Sequence, residues 1–167
     1  MTGRVRILQV AAPLVLALLL PLGLAHAATS PTLLAKVERV SDGETITVFS
    51  SDQAKLRIRL LGIDAPEVPN GKKPGRPFAE EARDYLTLLI GGRTVRVQPY
   101  GQDKSGRILA VIFLGPINVN VEMVQQGKAG IDRGAPCKAY CRDLRVAELS
   151  AKRRRVGIWG GRAEERN

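Results

Sequence analysis

The sequence predicts an α+β fold: a five-stranded β-barrel of the OB type with three α-helices. Two observations carry this. Five short segments of alternating apolar and polar residues lie between residues 33 and 114, split three and two by one amphipathic helical stretch. Two further helical stretches follow before the C-terminus, and no internal repeat or low-complexity linker interrupts the order.

The elements follow from local patterning. "LLAKVERV" reads as a strand, "SDGE" as a tight turn and "TITVF" as a second strand. After "SSDQ", the third strand "KLRIRLLGI" places Arg57 and Arg59 on one face and then runs into "DAPE". "EVPNGKKPGRP" is a loop, rich in glycine and proline. Pro77 suits the first turn of a helix, and "FAEEARDYLTLLI" sets Phe78, Ala82, Tyr85, Leu86 and Leu89 along one stripe, closed by Gly91 and Gly92. "RTVRVQPY" and "RILAVIFL" are strands four and five, joined by the turn "GQDKSG". "NVNVEMVQQG" is a short helix. The last helix, about Tyr140 to Val156, carries Leu144, Ala147, Leu149 and Ala151 near its apolar side.

The first 27 residues read as a secretory signal peptide. Arg4 and Arg6 precede an apolar run broken by Pro13 and Pro21, and Ala25-His26-Ala27 forms a cleavage signature. The competing reading is an uncleaved anchor, since about 18 apolar residues just span a bilayer. Residues 28–32 are expected to be a flexible start, 33–160 the folded domain and 161–167 a frayed tail. The protein is then secreted or periplasmic, and membrane association follows only if the leader stays.

The chain carries a net charge of +10. Residues 1–27 hold two arginines and no acidic residue, so their removal leaves +8. Such a charge favours polyanions, nucleic acid among them. The only histidine, His26, lies in the leader. The remaining chain therefore has no histidine base, nucleophile partner or metal ligand, and acid–base work falls to carboxylates helped by a metal or by arginine. Cys137 and Cys141 are expected to form a disulfide in an oxidising compartment, pinning a loop rather than a helical turn.

Three polar clusters fall at strand ends or turns: "SDGET" with Asp42 and Glu44, "RLLGIDAPE" with Arg59, Asp64 and Glu67, and "DKSGR" with Lys104 and Arg107. Carboxylates and a carbonyl suit a hard cation such as calcium, a further carboxylate can deprotonate water, and guanidinium groups match phosphate oxygens. The bland alternatives are an exposed strand arginine and ordinary acidic turns. For Asp42 the structural reading leads, because Asp-Gly is itself a hairpin signal. The run Lys152-Arg153-Arg154-Arg155 reads as a solvated helix end, and Trp159 as a packing residue.

"SDGETITV", "RIRLLGIDAPE", "DKSGRILAVIF", "VNVEMVQQGKA" and the terminal "AELSAKRRRVGIW" together resemble the staphylococcal (micrococcal) nuclease family, in the same order and over about residues 33–160. The resemblance implies an OB barrel with three helices and calcium-dependent endonucleolytic cleavage of DNA and RNA to 3′-phosphate ends. It implies Glu67 as general base and Arg59 and Arg107 as the catalytic arginines on the scissile phosphate. Glu44, Asp64 and the Ala65 backbone carbonyl fall at calcium-ligand positions, and Lys104 where the family contacts a terminal phosphate.

Departures from the family are specific. Glu44 stands where aspartate is usual, Ala65 where the type member has threonine and Ser105 where a tyrosine is frequent. The base-stacking aromatics expected after "QGKA" are replaced by Gly130, Ile131, Asp132 and Arg133, leaving Tyr140 as the nearest substitute. The leading reading is a monomeric enzyme acting on DNA and RNA with no stable protein partner. The runner-up is a non-catalytic OB-fold nucleic-acid-binding module, and a weaker third is an anchored polyanion-binding protein.

Overall fold

The computed structural model describes residues 32–71, 73–134 and 137–161. The expected leader 1–27, the start of the chain up to residue 31 and the tail from 162 onward lie outside the described residues.

The chain forms β1 (Leu33–Val40), β2 (Thr45–Ser50), β3 (Lys55–Leu60) and the short β4 (Ile63–Asp64), then helix α1 (Ala79–Ile90). Next come β5 (Thr94–Gln102), β6 (Ile108–Leu114), β7 (Ile117–Asn118), α2 (Val119–Gln125), β8 (Gly130–Ile131), α3 (Cys141–Arg154) and a 3-10 turn at Gly157–Trp159. The main sheet runs β3-β2-β1-β5-β6-β7, and a parallel β3–β6 pairing closes β1, β2, β3, β5 and β6 into a barrel. The expected α+β barrel with three helices is therefore observed. Three two-residue strands are additional; they are too short to leave a period in the sequence.

In β3 the alternation is literal. Ile58 and Leu60 are buried, while Lys55 and Arg57 point outward and Arg59 is half-buried. Ile46, Val48, Ile58, Leu60, Leu86, Ile90, Ile112 and Met123 fill the barrel and seat α1 and α2 on it. At the β1–β2 turn, a Cβ on Gly43 would lie 2.7 Å from the Ala65 Cβ and 2.8 Å from the Ala82 Cβ. Only glycine allows this turn to sit against both α1 and the segment after β4.

Four expectations are corrected. Phe78 is not on the helical stripe: it precedes α1 with φ 69°, and Pro77 consequently lies outside the first turn. The buried stripe is Ala79, Ala82, Leu86 and Ile90. In α3, Leu149 is 60% exposed. The i, i+3, i+4, i+7 stripe there is Leu144, Ala147, Glu148 and Ala151, so a glutamate takes the inward position that the apolar reading gave to Leu149. Tyr140 is held away from the polar rim, with its ring edge-on to Phe113 at 5.8 Å and its hydroxyl donating to Gln98 Oε1 at 3.3 Å.

The disulfide Cys137–Cys141 is formed. Cys137 lies in the loop and Cys141 opens α3, as the loop expectation requires.

Candidate active site

Barrel closure brings the arginines together. Arg59 pairs with Thr45 across β2–β3 and with Leu109 across β3–β6, so Arg107, immediately before β6, sits diagonally beside it. An open cleft of 610 Å³ is lined by Glu44, Arg57, Arg59, Asp64, Ala65, Glu67 and Arg107, together with Asp42, Thr45 and the loop after Glu67. All three sequence clusters therefore meet on one rim. Lys104 does not line this cleft. It lines an adjoining depression of 270 Å³ with Arg59, Asp103, Asp132 and Lys138.

Each arginine is oriented by a carboxylate. Arg59 Nε donates to Glu44 Oε1 at 2.8 Å, and its Nη2 lies 3.7 Å from Asp132 Oδ2. Arg107 Nε donates to Asp103 Oδ2 at 2.7 Å and its Nη1 to Thr45 Oγ1 at 3.4 Å. Asp103 Oδ1 also accepts from the backbone N–H groups of Ser105 and Arg107, which fixes the turn. Burial pushes the Asp103 carboxyl up, but Arg107 and these amides outweigh it and hold it below the usual range. A guanidinium has five N–H donors, so both arginines keep donors for an anion.

Glu44 is the most constrained carboxylate. Its Oε1 takes Arg59 and its Oε2 accepts from the Ala65 N–H at 3.1 Å. Burial pushes its carboxyl above the usual range, and Arg59 and the Ala65 amide offset this only in part. Asp42 behaves as expected of a turn residue: its Oδ1 accepts from the Glu44 N–H at 2.9 Å. Asp64 is half exposed, with Arg76 Nη1 3.6 Å away, a separation at which an exposed pair contributes little. The Glu67 side chain is exposed and has no hydrogen-bond or ion-pair partner among the described residues, while its backbone carbonyl accepts from the Arg76 N–H at 2.8 Å.

Sequence reasoning missed several contributors. Asp103 carries a local signal, since Asp-x-Ser-Gly-Arg is an Asx turn that offers a carboxylate to the arginine. Asn120 carries none. It is buried, accepts from the Ile112 N–H at 3.0 Å, and donates to the carbonyls of Leu61 at 2.9 Å and Ala110 at 3.1 Å. It thereby pins the turn after Arg59 to the strand after Arg107. Glu148 accepts from Lys152 Nζ at 2.7 Å, Arg133 Nη2 at 3.1 Å and the Ile131 N–H at 3.1 Å, fastening β8 to α3.

The metal-ligand candidates are two carboxylates and a backbone carbonyl. No group of three or more His, Cys, Asp or Glu able to hold a metal occurs among the described residues. The all-oxygen donor set nevertheless suits a hard cation that keeps several waters.

A closed OB-type barrel carries on one rim two carboxylate-steered arginines and a glutamate that is unpartnered among the described residues, and this defines a class: barrels whose rim can hold an anion beside a carboxylate. The comparisons place it within that class. The model of the staphylococcal nuclease homologue family matches residues 57–161, and the chain belongs to this family. The match begins in β3, so Glu44 lies outside it. The chain is 31% identical over 163 residues to a protein named Probable endonuclease LCL3 from Uncinocarpus reesii, covering 78% of this chain and 53% of the relative. The Coccidioides posadasii protein of the same name is 30% identical over 161 residues, covering 77% and 51%. That from Clavispora lusitaniae is 33% identical over 156 residues, covering 76% and 66%. The chain thus spans about half the length of the first two.

Proposed function

We propose that the chain is a calcium-dependent endonuclease that hydrolyses phosphodiester bonds of DNA and RNA to 3′-phosphate ends and acts as a secreted or periplasmic monomer. The observation that carries this reading is the meeting of Arg59, Arg107 and Glu67 in one cleft. Family membership and the printed names of the relatives support it.

In this reading the phosphate sits between Arg59 and Arg107, whose free N–H groups hold its non-bridging oxygens as charge builds on them. Glu67 takes a proton from water, the water oxygen bonds to phosphorus, and the bond to the 5′-oxygen breaks, its electron pair staying on that oxygen, which takes a proton from solvent to leave as a hydroxyl. Glu44 and Asp103 fix the guanidinium planes, so little reorganisation remains for the reaction. Glu44, Asp64 and the Ala65 carbonyl would hold calcium, which supplies polarisation of a phosphoryl oxygen when bound.

The test is cleavage of single-stranded DNA in calcium and in chelator, with the product ends probed by phosphatase. Calcium-dependent fragments with removable 3′-phosphates are expected; intact DNA in calcium overturns the reading. One observation favours the binding-module alternative: both Glu44 oxygens already have partners. A pure binder would retard nucleic acid equally in calcium and chelator without shortening it.

A further inference from the structure

Beside the cleft lies a second cavity, of 620 Å³, that shares Asp64 and Pro66 with the cleft and Asp132 with the Lys104 depression. The Lys104 depression shares Arg59 with the cleft. The three depressions therefore adjoin one another, through Asp64 and Pro66, Arg59 and Asp132, and the two arginines lie in the cleft.

The second cavity differs in chemistry from the cleft. Phe78 and Trp159 contribute aromatic surface, and Arg76 and Arg133 stand at it with more than half of each side chain exposed. Aromatic surface flanked by guanidinium groups, Arg76 paired with Asp64 and Arg133 with Glu148, matches a nucleoside with a base to stack. Phe78 is free to serve. The left-handed turn ahead of α1 takes it off the buried helical stripe, and it lines this cavity instead. Trp159 is already covered, with Lys152 Nζ 4.3 Å from its ring centroid. Tyr140 is engaged on Phe113.

We infer that Phe78 is the base-stacking platform of this protein, seating a nucleoside next to the scissile phosphate in the cavity that meets the cleft at Asp64 and Pro66. This rests on the nuclease reading and supplies the stacking surface that the segment Gly130–Arg133 lacks. The substrate class that follows is single-stranded nucleic acid, or duplex ends that fray, because a paired base cannot leave its stack to reach the ring without cost.

The test compares single-stranded DNA oligonucleotides that are fully based or carry one abasic unit immediately 5′ or 3′ of a single cleavage position. The protein, Phe78→Ala, Phe78→Leu and Phe78→Tyr are assayed for KM and kcat, with circular dichroism to establish folding. Phe78→Ala is expected to raise KM for the based strand about 10-fold with kcat little changed, to leave KM unchanged for one of the two abasic strands, and Phe78→Tyr to restore binding. Phe78→Leu keeps apolar bulk and is expected to behave like Phe78→Ala. An equal KM rise on all three strands, or none on any, overturns the inference. If the unaltered protein cleaves nothing, the nuclease reading fails separately. Dissociation constants of the same strands, measured by fluorescence anisotropy, then decide whether Phe78 stacks a base.

Discussion

Replacing Asn120 by alanine should cost both stability and activity, and the size follows from three hydrogen bonds. The Ile112 N–H and the Leu61 carbonyl each lose their Asn120 partner, whereas the Ala110 carbonyl keeps the Leu61 N–H at 2.8 Å. Two buried backbone groups are thus left unsatisfied, at about 1–3 kcal/mol each, for a total of about 2–6 kcal/mol. That is a large share of a typical domain stability of about 5–15 kcal/mol. Asn120→Asp is worse at neutral pH, because a carboxylate then faces two carbonyl oxygens. It should recover partly in acid, where a protonated carboxyl can donate to one of them. Urea unfolding followed by tryptophan fluorescence and circular dichroism gives the difference directly. Because Leu61 lies between Arg59 and Asp64, folded Asn120→Ala should also lose kcat. A stability change below about 0.5 kcal/mol, or an Asn120→Asp variant indifferent to pH, would refute the accounting of these bonds.

Other outcomes follow from the same geometry. Burial raises the Glu44 pKa above 4.5, so its neutral form is the better tolerated; that stability is full below pH 4.5 and is lost as pH rises through the folded value. Glu44→Gln stays neutral and should therefore gain stability relative to the unaltered protein between pH 4 and 8, about 1.4 kcal/mol for each unit of displacement, while losing calcium affinity by titration calorimetry. A relative loss over that range would contradict the burial argument. Gly43→Ala must push a methyl into Ala65 and Ala82, and should cost about 1–3 kcal/mol in denaturant unfolding and lower kcat by shifting Glu44. Reducing Cys137–Cys141 opens a short loop and should lower stability by about 2 kcal/mol, read as a drop in Tm with and without reductant.

Most of the barrel was legible because its strands are half-buried and alternate. The register that sets Arg59 opposite Leu109 was not legible, since a parallel closure between β3 and β6 leaves no local pattern. The site residues at strand ends were legible as types in turns. Their second partners were not: Asp132, Asn120 and Glu148 act across 15 to 73 residues of chain, and a buried polar side chain looks like a surface one in sequence. Phe78 and Leu149 misled for one reason. Period alone cannot show where a helix begins or that a glutamate with three partners outcompetes a leucine for the inward face.

Glu67 is proposed above as the base of a nuclease cleft. The most direct test is cleavage of single-stranded DNA in calcium by the protein and by Glu67→Gln, with DNA binding measured alongside. Fragments are expected from the protein, and from Glu67→Gln a rate lower by a factor of about 10² or more with binding retained. Equal cleavage by both proteins would contradict the assignment of the base, and intact DNA bound equally well by both would contradict the enzyme.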